Sequence, residues 1–144
     1  MQESGEVRET VERFYERISA GDVEGTSATI ADDPEAFAIG TQRIGGGREM
    51  WLDAVRENAA MGVVFEPGRI RAWAAADMGW AVDEPTMVLP NGLRLTTRMT
   101  AVLRREPDGT FGLLHQHYSL AIPDEVAMEH AAGWREQLGL VTTS

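Results

Sequence analysis

The chain has 144 residues, a formal net charge of −10 and no cysteine. This length suits one domain with its own core, and the hydrophobic fraction of 43% argues against wholesale disorder. The negative charge disfavours binding to nucleic acid or to anionic lipid, and the lack of cysteine excludes disulfides and thiol chemistry. No run approaches the roughly 20 apolar residues that span a bilayer, and no signal peptide is evident. We therefore expect a soluble, cytoplasmic protein.

The first half of the chain is predicted to be mainly helical. Apolar residues recur at helical spacing over 6–19, and a second short helix is expected over 22–30. A short strand over 35–40 and a loop over 41–47 then precede a third helix, which includes 50–61.

From residue 62 onward the hydrophobic period changes to two, which is typical of strands. The predicted strands are 63–65, 69–75, 80–89, 93–105 and 110–122. Asn91-Gly92 and Asp108-Gly109 are strong hairpin signals, because both pairs tolerate positive φ. A final helix begins at Pro123-Asp124, with Gly139 as its expected cap and a frayed tail over 141–144.

Helices followed by an antiparallel meander predict an α+β domain in which the sheet curves around the helices. On the last strand, His115, His117 and Ser119 point to one face, while Gln116 and Tyr118 point to the other. Two imidazoles and a hydroxyl on one face are suited to lining a pocket. They are equally suited to being polar groups satisfied inside a curved sheet.

Several segments together resemble the NTF2-like superfamily and its SnoaL-like branch. The segments are Val11-Glu12-Arg13-Phe14-Tyr15, Ser19-Ala20-Gly21-Asp22, Ala31-Asp32-Asp33, Gly79-Trp80-Ala81-Val82, Thr100-Ala101-Val102-Leu103-Arg104-Arg105 and His115-x-His117-x-Ser119. The resemblance covers about 7–122 and implies a cone-shaped α+β barrel that opens onto an apolar pocket. It also implies a homodimer formed through the outer face of the sheet. We expect one domain over 1–144, with a helical extension over 123–140.

The ketosteroid isomerases of this superfamily use a carboxylate base on the first strand and a tyrosine on the first helix. Counted along this chain, the base would fall within 38–40, where no side chain can take a proton. The tyrosine position is Phe14, with Tyr15 next to it. Because one residue turns a helical side chain by about 100°, Tyr15 is no simple substitute. The isomerase mechanism is therefore not carried over.

His115 and His117 remain candidates for acid–base chemistry, together with Tyr15 and Asp83. The sequence leaves open whether Asp83 faces solvent or the interior of the cone. Two strand histidines make an incomplete metal site, since a transition metal normally has three or four protein ligands. We expect no metal and no cofactor.

Three functions follow as hypotheses. The first is a homodimer that binds a small, largely apolar molecule, with Tyr15, Trp80, His115, His117 and Ser119 around the ligand. The second is a proton-transfer enzyme, such as an isomerase, cyclase or dehydratase. The third is a structural dimerisation module whose cone is filled by its own side chains. The expected dimer contact is the outer face of the sheet, with Leu114, Tyr118 and Leu120 on the last strand, or their opposite set, as the covered residues.

Overall fold

A computed structural model describes residues 1–40 and 47–137. The helices are α1 (Gly5–Ser19), α2 (Val23–Ser27), α3 (Gly47–Met61) and α4 (Asp124–Gln137). The strands are β1 (Gln2–Glu3), β2 (Phe37–Ile39), β3 (Val64–Glu66), β4 (Arg71–Ala75), β5 (Met78–Asp83), β6 (Thr86–Val88), β7 (Arg94–Arg105) and β8 (Phe111–Leu120). Of the predicted loop over 41–47, residues 41–46 lie outside the described residues, whereas Gly47 is already the first residue of α3. The cap at Gly139 and the tail over 141–144 also lie outside the described residues.

The long helix α1 forms where the apolar period predicts it and packs one face against the sheet. Ser4 caps it, since its Oγ accepts a hydrogen bond from the Val7 backbone N–H at 3.2 Å. Asp22 caps α2 through the Gly25 N–H. This second helix is shorter than predicted and ends at Ser27, because the chain after it turns back to the sheet. There Ile30 forms a parallel bridge with Leu113.

Eight strands form one strongly curved sheet in which β7 pairs with β5, β6 and β8. The predicted strand over 80–89 is in fact two strands, β5 and β6, because Pro85 has no N–H to donate to a sheet ladder. The carbonyl of Pro85 instead accepts hydrogen bonds from the Thr97 backbone N–H and hydroxyl, at 3.0 and 2.9 Å. Both predicted hairpin turns are present, with positive φ at Gly92 and Gly109.

The two faces of the sheet differ in burial. On β7, the odd-numbered residues from Thr97 to Leu103 are buried against the helices, while the even-numbered neighbours face outward. On β8 the register shifts opposite Val102 and Leu103, because Leu114 is an extra residue between their partners His115 and Leu113. Such a bulge bends and twists the strand, which helps the sheet to wrap around α1 and α3.

The predicted α+β architecture is confirmed, with two features beyond the prediction. β1 adds a short strand beside β4, and β2 pairs in parallel with β8 rather than with a sequence neighbour. Among the described residues, no helix is long and apolar enough to cross a membrane.

Candidate functional site

A cavity of about 220 Å³ lies between α1, α3 and the inner face of the sheet. Its described lining is mostly apolar: Phe14, Ile18, Ala38, Ile39, Gly40, Met50, Trp51, Ala54, Val55, Met61, Val63, Phe65, Met87 and Leu89, with the polar residues Glu57, Asn58, Thr97, Gln116 and Tyr118. Among these described residues Glu57 is the one charged side chain. A lining of this kind suits an uncharged, largely apolar molecule.

Two polar side chains on β8 reach this cavity from the sheet. Gln116 is 1% exposed, and its Nε2 has no hydrogen-bond partner among the described residues. The ring of Tyr118 is half-buried, while its hydroxyl is fully buried and also unpartnered there. Thr97 differs from both, because its hydroxyl already donates to Pro85.

The hydroxyl of Tyr118 belongs to a buried cluster with Tyr15 and Asp83. Tyr15 is 1% exposed and Asp83 is 6% exposed, so Asp83 faces the interior rather than solvent. Asp83 Oδ2 accepts a hydrogen bond from the Gly68 N–H at 3.1 Å. Within the described structure, Asp83 Oδ1 and the two phenol hydroxyls complete no hydrogen bond of normal geometry.

The electrostatics of this cluster keep both phenols neutral. Burial raises the pKa of Tyr15 far above its usual value, and the nearby Tyr118 and Asp83 raise it further. Burial is likewise the main cause of the raised pKa of Tyr118. Phe65 lies between the two tyrosines, with its ring centroid 6.1 Å from that of Tyr15 and 5.4 Å from that of Tyr118. The two phenols can therefore donate hydrogen bonds, but they are poor bases.

The structure corrects the expected position of His115, His117 and Ser119. These residues lie on the outer face of β8, opposite the cavity-lining Gln116 and Tyr118. His115 Nδ1 donates to the backbone carbonyl of Phe37 at 3.0 Å, and the two rings are in contact. The physical reason is the bulge at Leu114: Leu113 faces inward, and the extra residue then brings Gln116, rather than His115, to the inner face.

Trp80 likewise lies away from the ligand-binding position predicted for it. It is 39% exposed and stacks on Trp73, with ring centroids 4.4 Å apart, on the outer face of β4 and β5. Its neighbour Ala81 is the residue that points into the core. The expected dimer set needs a similar correction, because Tyr118 lies on the cavity side and not with an outer apolar face.

The positions singled out by the superfamily resemblance do meet at the cavity. Phe14 lines it from α1, and residues 38–40 line it from β2 and the residue that follows. None of these side chains titrates, and the residues expected around the ligand, Tyr15, Trp80, His115, His117 and Ser119, are not among the described lining residues. Of the acid–base candidates, the structure brings Tyr15 and Asp83 together behind Tyr118. His115 and His117 lie on the outer face of the sheet, away from this cluster.

The arrangement of ligating side chains offers no metal centre in the described part of the chain. No group of three histidine, cysteine, aspartate or glutamate residues there is close enough to hold an ion. His115 and His117 therefore have no third ligand among these residues.

The structure combines a strongly curved antiparallel sheet, helices packed on its inner face and a mostly apolar cavity between them. A family model for the SnoaL-like domain matches residues 7–123. The chain therefore belongs to the SnoaL-like domain family. No curated protein matches it significantly.

Solved structures confirm the NTF2-like, cystatin-like fold. An NTF2-like protein of unknown function from Pseudomonas putida KT2440 is 22% identical, with a TM-score of 0.72 over 83% of this chain and 87% of that chain. An uncharacterized protein with a cystatin-like fold from Caulobacter vibrioides is 17% identical, with a TM-score of 0.70 over 88% and 95%. A ketosteroid isomerase-like protein from Erwinia carotovora atroseptica is 13% identical, with a TM-score of 0.63 over 81% and 95%. At these identities the likeness extends to the fold alone.

Gln116 is the site residue that the sequence analysis missed. The signal was present, since Gln116 and Tyr118 share a face and glutamine is uncommon among buried strand residues. Histidine is a more common functional residue than glutamine, and for this reason the face with His115 and His117 was predicted to line the pocket.

Proposed function

We propose that this domain binds a small, uncharged, largely apolar molecule in the cavity between α1, α3 and the sheet. The observation that supports it is the cavity itself, since a cone filled by its own side chains would serve a purely structural module. Its volume of about 220 Å³ lies below the roughly 300–1,000 Å³ of pockets for drug-sized ligands. The ligand is accordingly a small one.

The methionines provide a direct test by NMR with ¹³C-labelled methionine methyl groups. Met50, Met61 and Met87 line the cavity, whereas Met78 and Met128 are exposed elsewhere. Titration with cyclohexanone or methylenecyclohexane should shift the first three signals saturably and leave the other two in place. Uniform shifts of all five signals would indicate non-specific partitioning and contradict the proposal.

A matched pair of variants locates the binding. Ala54→Phe fills the cavity and should abolish the saturable shifts. Ala60→Phe adds the same ring at an exposed position of α3 that does not line the cavity, and should leave binding unchanged. Equal binding by both variants would place the ligand elsewhere.

A second candidate function, proton transfer beside a carbonyl group, is favoured by the cluster of Tyr15, Asp83 and Tyr118. Asp83 is not among the described residues that line the cavity, and for this reason binding is the primary proposal. The test is deuterium incorporation at the α-carbons of cyclohexanone in D₂O. Acceleration by the protein that is lost in Asp83→Asn would support an enzyme, and a rate equal to that of buffer would exclude it for this substrate.

We further propose that the protein is a homodimer formed through the outer face of the sheet. There, Trp73, Trp80, Val102, His115 and Phe37 form one cross-strand row over five strands. Trp80 and Phe37 are 39% and 38% exposed, and an apolar row of this length favours a covering partner.

We also propose that the protein is cytoplasmic. The lack of cysteine is consistent with this reducing compartment.

Sedimentation equilibrium at micromolar concentration tests the dimer. Trp80→Glu places a charge within the row and should give a monomer. Leu93→Glu changes a residue of similar exposure in the turn between β6 and β7, and should remain dimeric. A wild-type protein that sediments as a monomer would refute the dimer.

A further inference from the structure

Gln116 is a buried residue of β8. Its neighbours across the sheet are Ala38 on β2 and Ala101 on β7, which carry no polar side-chain atoms. The side chain projects from the inner face of β8 and contributes to the wall of the cavity. Its Nε2 has no hydrogen-bond partner among the described residues.

A buried Nε2 donor without an acceptor lowers the stability of the folded protein. A buried donor that loses its water partners without gaining a protein partner carries its full desolvation penalty. Leucine or methionine would fill a similar volume without that penalty, and the other inward residues of β7 and β8 near the cavity are mostly apolar or hydrogen-bonded. The position therefore gains from the amide only when a further acceptor is present.

We infer that Gln116 determines ligand selectivity by donating a hydrogen bond from Nε2 to an uncharged acceptor oxygen, such as a carbonyl, ether or epoxide oxygen. This inference rests on the proposed function. We take the acceptor to be uncharged because the described lining residues include no cationic side chain. They do include the acidic residue Glu57, which disfavours an anionic ligand. A buried anion would therefore have no counter-ion among the described lining residues.

Cyclohexanone and methylenecyclohexane form a suitable probe pair, because they have nearly the same shape and differ in an oxygen against a CH₂ group. The measured quantity is the ratio of their dissociation constants, obtained from the cavity methionine signals. The change of this ratio between wild type and a variant cancels the different hydration and size of the two free probes, and so isolates the contribution of the substituted side chain.

The ratio is measured in wild type, Gln116→Leu, Gln116→Met and Thr100→Val. Thr100 precedes Ala101 on β7 but faces outward, so Thr100→Val is the control and should keep the wild-type ratio. Both Gln116 variants should lose about five- to tenfold of the relative preference for the ketone, as expected for one neutral hydrogen bond. Their affinity for the hydrocarbon should be unchanged or higher.

The outcomes separate this inference from the proposed function. If both probes bind and either folded Gln116 variant keeps the wild-type ratio within twofold, the role of Gln116 is refuted while cavity binding stands. If neither probe binds wild type, both are refuted. Gln116→Met preserves the length of the side chain, so it gives the answer even if Gln116→Leu fails to fold.

Discussion

The hydroxyl of Tyr15 and the carboxylate of Asp83 are buried neighbours, one on the first helix and the other at the end of β5. Each of them interacts electrostatically with Tyr118, and Asp83 accepts a hydrogen bond from the Gly68 N–H. This places both tyrosines of the chain in one solvent-excluded cluster. Their ionisation therefore reports directly on the integrity of the site.

We expect neither tyrosine to ionise in the folded protein. The pKa of each tyrosine is raised in the folded state, mainly by burial. The pKa of a tyrosine in the unfolded chain is about 10. The folded state thus retains protons that the unfolded chain releases above that pH. The contribution of the two phenols to the free energy of unfolding should be constant below about pH 10 and should fall as pH rises further.

Absorbance at 295 nm follows phenolate formation and tests this. In native protein the signal should rise only together with the loss of circular dichroism, whereas in urea it should titrate near pH 10. A tyrosine that ionises reversibly at pH 10 in protein with native circular dichroism would show that the cluster is open to solvent.

Two substitutions of Asp83 should differ in stability. Asp83→Asn keeps an oxygen that accepts from Gly68 and adds an N–H₂ donor beside the two phenol oxygens, so no loss relative to wild type is expected. Asp83→Ala removes the acceptor and should be less stable than Asp83→Asn by about 0.5–1.5 kcal/mol. Urea unfolding measures both, with exposed Glu84→Ala as a control within about 0.5 kcal/mol of wild type. Equal stability of the two Asp83 variants would show that the Gly68 contact contributes nothing.

Gly79 is required by close packing between α1 and the sheet. A Cβ at this position would lie 2.6 Å from Val7 Cγ2 and 3.3 Å from the Trp73 carbonyl oxygen. We expect Gly79→Ala to destabilise the protein by about 1–3 kcal/mol through overpacking. Gly5→Ala is the control, because no atom lies within 4 Å of its added methyl group. Thermal unfolding of the two variants compares them, and similar midpoints would mean that α1 shifts freely on the sheet.

Zinc and EDTA should each leave the melting temperature unchanged. His115 and His117 face outward without a third ligand among the described residues, and a stable zinc site normally needs three or four. Differential scanning fluorimetry with and without zinc is sufficient. A zinc-dependent rise that disappears in His117→Ala would reveal a site completed by other residues.

Much of the fold could be predicted because its signals are local. The apolar period of α1, the N-cap at Asp22 and the turns at Asn91-Gly92 and Asp108-Gly109 each depend on a few adjacent residues. The parallel pairing of β2 with β8 joins Phe37 to His115, far apart in the chain. No local pattern encodes such a pairing, and β2 is therefore predicted as a strand but not placed.

The candidate site was harder to predict because facing depends on register. Alternation correctly separates Gln116 and Tyr118 from His115 and His117, but it does not tell which set faces inward. The same uncertainty of facing applies to Asp83, because an acidic residue in an apolar strand is compatible either with solvent exposure or with a buried polar cluster. Its burial and its hydrogen bond from the Gly68 N–H show that it faces inward.

The bulge at Leu114 has a consequence for aligning this chain with its relatives. Leu113 and Gln116 both face inward although three positions separate them, whereas a regular strand repeats its inward side chains every two positions. An ungapped alignment with a relative whose last strand is regular therefore pairs inward residues with outward ones on one side of Leu114. Functional residues carried between such sequences fall on the correct face only when a one-residue gap is placed at the bulge.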